Sequence, residues 1–372
     1  MIYLDHNATT PVDERVVEAM LPFLGRFYGN PSALYRLGRL ARTAIDMARE
    51  QVADLVDANP AHIVFTSGGT EANNIALNCL PDGGAYIYGA TEHPSVLEWI
   101  EHQVVKESYC LSVDQEGLIQ KDDLADRVRM QSDRPALLTV MTANNEQGVL
   151  QNIEHIAEQI GGRKIIFHSD AVQAAGKIPV SFRRLGLDLM ILSSHKIYGP
   201  KGCGALVYHH KIVPRPLLFG GGQEHNWRPG TENVAAIVGF GKAAELAKAD
   251  LNDRMTHLLH LRTLLEKGLQ QISGIKIFAL NAPRLANTVQ FGIDGQHAEM
   301  IQMQLDNEGI AVSSGSACAS GGGRPSHVLT AMGIEPRLAQ SAIRVSLGKQ
   351  NTVDDVQQLI KAIQQFVVNN RR

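Results

Sequence analysis

The chain has 372 residues, 44% of them hydrophobic, and a formal net charge of −3. That length exceeds the roughly 150 residues of a typical domain, so two domains are expected. The basic residues do not cluster, which excludes the electrostatic footprint of a direct nucleic-acid binder, and no run approaches the roughly 18 apolar residues of a membrane span.

The first six residues, Met1 to His6, show neither the basic nor the apolar region of a signal peptide. A cytoplasmic protein is expected. The four cysteines, Cys79, Cys110, Cys203 and Cys318, form no C-x-x-C pair and match no zinc spacing, so no metal site is expected.

Residues 1–31 read as irregular, with turn signals at 7–11 and 29–31. A 3.6-residue apolar period from Leu34 to Leu55 predicts an amphipathic helix over 32–56. A short strand at 63–66 runs into Ser67-Gly68-Gly69-Thr70-Glu71 and then a helical pattern. That turn offers backbone N–H groups to an anion, although it is neither a P-loop nor a dinucleotide fingerprint. Strands follow at 85–88, ending in Thr91-Glu92-His93, and at 137–141, ending in Asn144-Asn145-Glu146. After a helix over 153–160, the strand at 164–168 ends in Ser169-Asp170 and Gln173. The apolar run 188–192 leads into Ser193-Ser194-His195-Lys196 and a Gly-Pro turn, and a further strand spans 204–208. Polar residues at successive strand ends are the pattern of an open α/β sheet that binds ligands at its carboxyl edge.

A long loop over 220–233 precedes helical periodicity from 234 to 269, and the second domain is expected to begin near residue 250. Strands at 275–278 and 288–291, a helix at 298–308, and a strand at 310–312 lead to the loop Ser313-Ser314-Gly315-Ser316-Ala317-Cys318. A strand over 341–347 and a helix from Thr352 close the chain. The Ser, Ala and Gly around Cys318 give mobility and little packing, which suits a mobile thiol better than a buried one.

Lys196 alone could be a loop lysine that snorkels to water, Asp170 a helix cap, and His93 a satisfied loop residue. Together the strand-end residues suit pyridoxal 5'-phosphate, which needs a lysine, an acid and a phosphate cradle. Lys196 supplies the amine and Asp170 the acid at the ring nitrogen. The Thr70 turn, Ser193 and His195 can hold the phosphate. His93 can cover the ring and shuttle protons. Gln173 and Asn145 can donate to the phenolic oxygen or to substrate, and Arg344 offers a fork for an α-carboxylate. The length of the 220–233 loop suggests a homodimer with composite sites.

The motifs just quoted, with Tyr3-Leu4-Asp5, Asn7-Ala8-Thr9-Thr10, Gly230-Thr231 and Ile343-Arg344, run in order over nearly the whole chain. In them the sequence resembles the class V, fold-type I pyridoxal-phosphate enzymes, and among these the NifS/IscS-type cysteine desulfurases. The resemblance implies conversion of L-cysteine to L-alanine, with sulfur left as a persulfide on Cys318 for an acceptor protein of iron–sulfur cluster assembly or of tRNA or DNA thiolation. It implies Lys196 as the cofactor-bound lysine, His93 on the ring, Asp170 at the ring nitrogen and Gln173 at the phenolic oxygen. Gly69, Thr70, Ser193, His195 and, across a homodimer, Thr231 would serve the phosphate. Asn145 and Arg344 would face the substrate. The implied fold is α/β: a large cofactor domain over 13–250 with a mixed, mostly parallel sheet, and a smaller α+β domain from 1–12 and 251–372 carrying the cysteine loop.

Two features depart from the family pattern. The stretch after Arg344 is shorter than the tail of scaffold-serving members, and Gly321-Gly322-Gly323 makes the loop after Cys318 unusually Gly-rich. Scaffold docking, loop order and acceptor preference are therefore expected to differ. A selenocysteine lyase or class V aminotransferase would keep Lys196, Asp170 and His93 without needing Cys318 on a mobile loop. A non-catalytic scaffold of the same fold would not need every position filled.

Overall fold

The computed structural model describes residues 1–103, 107–131, 134–314 and 325–370. A two-residue strand β1 (Ile2–Tyr3) precedes α1 (Glu14–Gly25), whose start is capped by the Asp13 carboxylate. Then come α2 (Arg36–Leu55), β2 (Ile63–Thr66), α3 (Gly69–Leu77), β3 (Ala85–Gly89), α4 (Pro94–Glu101), β4 (Ser108–Leu111), α5 (Lys121–Met130) and β5 (Ala136–Thr139). The first half of the fold ends with α6 (Ile153–Ile160), β6 (Ile165–Asp170), β7 (Leu189–Ser193), β8 (Gly204–Tyr208) and α7 (Val234–Ala249). The rest comprises α8 (Leu251–Gln270), β9 (Ile275–Ile277), β10 (Thr288–Ile293), α9 (Ala298–Asn307), β11 (Ile310–Ala311), β12 (Ser313–Ser314), α10 (His327–Ala331), α11 (Pro336–Ala339), β13 (Ile343–Ser346) and α12 (Val353–Asn369).

Seven strands form one sheet in the order β2-β8-β7-β6-β5-β3-β4. All neighbours are parallel except the two pairs made by β8. Strands β5 and β7 are buried throughout, which is why they read as unbroken apolar runs. Because β8 is antiparallel to both β2 and β7, strand β2 points the same way as the parallel set, and its C-terminal end joins theirs at one edge. A second, antiparallel sheet has the order β12-β13-β10-β9, and β1 pairs with β11 beside it. Its core is separate from that of the large sheet. Leu4 joins residues of α8, α9 and α12 there, with Val289, Phe291, Ile343 and Val345. Among the described residues no helix is long and apolar enough to cross a membrane.

Several elements differ from the sequence expectation. Residues 14–25 are helical rather than irregular; only Val16 is buried there and Pro22 interrupts the pattern, so the apolar stripe is faint. Helix α2 starts at Arg36 rather than 32, after the extended Tyr35. The periodicity over 234–269 is two helices, because Asp250 breaks the backbone between α7 and α8. Strand β4, with two exposed positions of four, and helices α10 and α11 were not foreseen, and where one helix is expected between the strands at 85–88 and 137–141 the chain forms two, α4 and α5.

Candidate active site

The C-terminal ends of β2, β3, β5, β6 and β7 converge on a cavity of about 280 Å³. Gly69, Thr70, His93, Asn145, Asp170, Gln173, Ser193, His195, Lys196 and Arg344 all line it. One sequence-selected residue lies elsewhere: Thr231 is exposed before α7 and is not part of the lining. Cys318 lies outside the described residues.

Lys196 ends the tight turn Ser194–Lys196 that leaves β7. The turn closes on Gly199, where a Cβ would lie 2.1 Å from Ser194 Oγ, so a side chain there would force that hydroxyl aside. Lys196 Nζ donates to Asn7 O at 2.6 Å and to Ala8 O at 2.8 Å. These carbonyls are fixed in turn, since Asn7 N donates to Ser346 Oγ on β13 at 2.9 Å. The N-terminal segment thereby joins the two sheets at the lysine.

His93 caps α4, with its Nδ1 accepting the Ser95 N–H at 3.1 Å and lying 2.8 Å from Ser95 Oγ. Since Nδ1 accepts, the hydrogen-bond network assigns the ring proton to Nε2. Asn73 Nδ2 donates both to Ser95 Oγ at 2.9 Å and to Asp170 Oδ2 at 2.8 Å, so one amide ties the histidine to the acid. Asp170 Oδ1 accepts the Val172 N–H at 2.9 Å. Burial lowers the His93 pKa; Asp170 opposes this, while Lys196 and His327 push it further down. The imidazole is therefore neutral at neutral pH. Behind it, burial raises the Glu92 carboxyl to about 8, even though Glu92 Oε1 accepts the Met141 N–H at 2.6 Å. Burial also lowers His168 to about 4.

At the other end, Gly69 and Thr70 open α3, and first-turn amides have no intrahelical acceptor. Ser193 Oγ is buried without a partner. A Cβ at Gly69 would sit 3.3 Å from Val172 Cγ2, so a side chain would crowd this corner. His195 Nδ1 lies 3.1 Å from Thr9 Oγ1, and burial, reinforced by Lys196, lowers its pKa to about 4. An unpartnered buried hydroxyl beside helix-start amides suits a phosphate, Asp170 suits a pyridine nitrogen, and the Lys196 amine suits an aldehyde. The residues present fit pyridoxal phosphate.

Arg344 reaches the cavity from the centre of the second sheet. Its Nη2 donates to Asp5 Oδ1 at 2.6 Å and its Nη1 to Asn145 O at 3.1 Å, while Nε is buried without a partner. Its fork is thus already half engaged by a carboxylate of this chain.

Sequence reasoning missed Asn73, Ser95 and Lys177. Asn73 and Ser95 are small polar residues inside or at the start of helices, where the ordinary reading is a solvated face. Lys177 carries the one usable signal, since it lies four residues beyond Gln173 in the same strand-end segment.

The chain matches the family model described as Aminotransferase class-V over residues 2–359. It is 41% identical over 374 residues to a protein of Methanosarcina thermophila named Cysteine desulfurase IscS, covering 98% of this chain and 92% of that one. Among solved structures, the NifS-like protein from Rickettsia africae superposes with a TM-score of 0.92 at 36% identity, with 99% of each chain covered. The structure titled SspA in complex with cysteine superposes with a TM-score of 0.80 at 32% identity, covering 93% of this chain and 99% of that one. With the match running through the strands and turns that frame the cavity, the chain belongs to the class-V aminotransferase family, within its NifS/IscS-type cysteine desulfurases.

Proposed function

We propose that this protein is a pyridoxal-phosphate-dependent cysteine desulfurase that converts L-cysteine to L-alanine and passes the sulfur to Cys318. The observation that carries this reading is the convergence of a lysine, an acid, a neutral histidine, an anion corner and an arginine on one cavity.

When bound, pyridoxal phosphate supplies a sink for the electrons released at the substrate Cα. Lys196 would hold the cofactor through Nζ and would move the Cα proton at that atom. Asp170, oriented by Asn73, would keep a proton on the ring nitrogen. His93 would cover the ring, its Nε2–H directed by the hydrogen bonds at Nδ1. Gln173 would donate to the phenolic oxygen. Gly69, Thr70, Ser193 and His195 would take the phosphate. Arg344 and Asn145 would hold the substrate carboxylate and amine in place. The Cys318 thiolate then attacks the substrate sulfur. An S–S bond forms and the C–S bond breaks. Its electron pair goes to the substrate carbon, which takes up a proton and becomes the methyl group of alanine.

A homodimer is part of the reading. Leu21 and Leu24 of α1, Leu34 ahead of α2, and Phe219 at the head of the loop bearing Thr231 are exposed apolar side chains. A second copy would cover them, and Thr231, by the family resemblance, would serve the partner's phosphate corner. The sulfur then leaves for an acceptor protein. The large domain would comprise 13–250 and the small one 1–12 with 251–372.

Purified protein supplied with pyridoxal phosphate, L-cysteine and a thiol reductant should release alanine and sulfide in equal amounts. A Lys196→Ala variant should release neither. Alanine formation undiminished by that substitution, or no alanine from the wild type, would refute the assignment.

A further inference from the structure

Lys177 Nζ donates to Gln173 Oε1 at 2.5 Å and to Asn7 Oδ1 at 2.8 Å. Both acceptors are neutral amide oxygens. Gln173 Nε2 donates to Asn7 O at 3.0 Å, the carbonyl that also accepts from Lys196 Nζ. Asn7 Oδ1 accepts in addition from Asn287 Nδ2 at 3.0 Å. Lys177 thus touches Gln173 directly and reaches Lys196 through Asn7, both of them residues that line the cavity, and its Nζ decides which end of the Gln173 amide faces which way.

The charged and titratable groups around Lys177 are of one kind. Lys196, Arg344 and Arg254 are cations, and His6 and His195 are imidazoles whose own protonation Lys177 opposes. Among the described residues no carboxylate forms an ion pair with it. A cavity of only about 20 Å³ separates it from Tyr198 and Arg254, room for about one water molecule. An ammonium there is poorly solvated and unpaired by any acid. Burial, then Lys196, Arg344 and Arg254, hold the Lys177 pKa well below the usual lysine range. This excess of positive charge is matched by what the site would bind: a phosphate, a phenolate and a substrate carboxylate.

We propose that Lys177 is a positioning residue that fixes the Gln173 amide, and that it takes up a proton from solvent when the anionic cofactor binds. This rests on the cofactor reading of the preceding section. Cofactor binding adds negative charge beside an amine whose charge burial and three neighbouring cations oppose, and binding and protonation are linked.

The test is calorimetric titration of cofactor-free protein with pyridoxal phosphate near neutral pH, in two buffers of different ionisation heat, for wild type, Lys177→Gln and Lys177→Met. The glutamine variant keeps an N–H donor for the two amide oxygens but has no titrating amine. It also secures the test if the methionine variant folds poorly in thermal melts. The wild type should take up more protons per site than either variant, and both variants should bind about tenfold more weakly or worse. Equal proton counts in wild type and Lys177→Gln would overturn the inference alone. A wild type that binds no pyridoxal phosphate and develops no visible absorption band would overturn the cofactor reading itself, and the inference with it.

Discussion

Ser313 lies directly opposite Arg344 in the antiparallel β12–β13 pair. β12, the last described element before Cys318, therefore ends beside the arginine proposed to bind substrate. Further on, the Ser326 hydroxyl donates to Glu146 Oε2 at 2.5 Å, one residue from the cavity-lining Asn145.

Arg344 is expected to govern substrate affinity. Its Nη2 is held by Asp5 and its Nη1 by Asn145 O, leaving Nε for a carboxylate. Arg344→Lys replaces the planar fork with a point charge. The loss of a charge-assisted hydrogen bond, roughly 1.5–3 kcal/mol, should raise KM for L-cysteine by about 10- to 100-fold. Steady-state kinetics with an unchanged KM would remove Arg344 from the substrate site.

The acidic limb of the pH profile should report His93. Its pKa in the folded protein is below the ordinary value, so the imidazole stays neutral as pH falls past that value and activity fails only lower down. His327, whose Nε2 donates to Glu92 O at 3.0 Å, is among the groups that push it down when charged. In His327→Gln the acidic limb of kcat/KM should move to higher pH. A limb that stays in place, or moves lower, would exclude the coupling.

Glu92 makes a prediction about stability. Its carboxyl titrates at about 8 in the folded protein against 4.5 ordinarily. Between those values the native chain keeps a proton that the unfolded chain has lost, so its contribution to stability falls as pH rises through the window. Gln in its place keeps an oxygen for the Met141 N–H and does not titrate. The melting temperature of Glu92→Gln should therefore gain on that of the wild type from about pH 4.5 to about pH 8. Parallel curves in thermal melts would contradict it.

The loop bearing Thr231 is rooted in a buried ion pair. Arg49 Nη1 and Nη2 donate to the two Glu224 oxygens at 2.8 and 2.7 Å, and the Phe65 N–H donates to Glu224 Oε2 at 2.8 Å. Arg49→Met would leave the Glu224 carboxylate buried and unpaired, at a cost of about 3–5 kcal/mol. Denaturant unfolding should show that loss, and sedimentation should show a weakened dimer. A variant as stable as wild type would mean the pair does not hold the loop.

The strand-end residues were legible because a buried parallel strand is an unbroken apolar run, and whatever polar group follows it must lie at the sheet edge. Asp170, His93 and Lys196 were readable on that ground. The contacts that orient them were not. Asn73 meets Asp170 across 97 residues of sequence and Lys177 meets Asn7 across 170, distances over which no local pattern survives. Helix α1 was hidden by its single buried residue, and the break at Asp250 by an apolar period that continues through it.

Transfer of sulfur from L-cysteine to Cys318 can be followed by peptide mass spectrometry after brief exposure of the pyridoxal-phosphate-loaded enzyme to L-cysteine. One added sulfur atom should appear on the peptide containing Cys318, formed together with an equal amount of alanine, and none in Cys318→Ala. Cys79 and Cys203 are buried, and burial raises both thiols well above the ordinary range, so neither is a competing nucleophile. Added sulfur on Cys79, Cys110 or Cys203 instead, or alanine formed at the wild-type rate by Cys318→Ala, would rule out Cys318 as the sulfur acceptor.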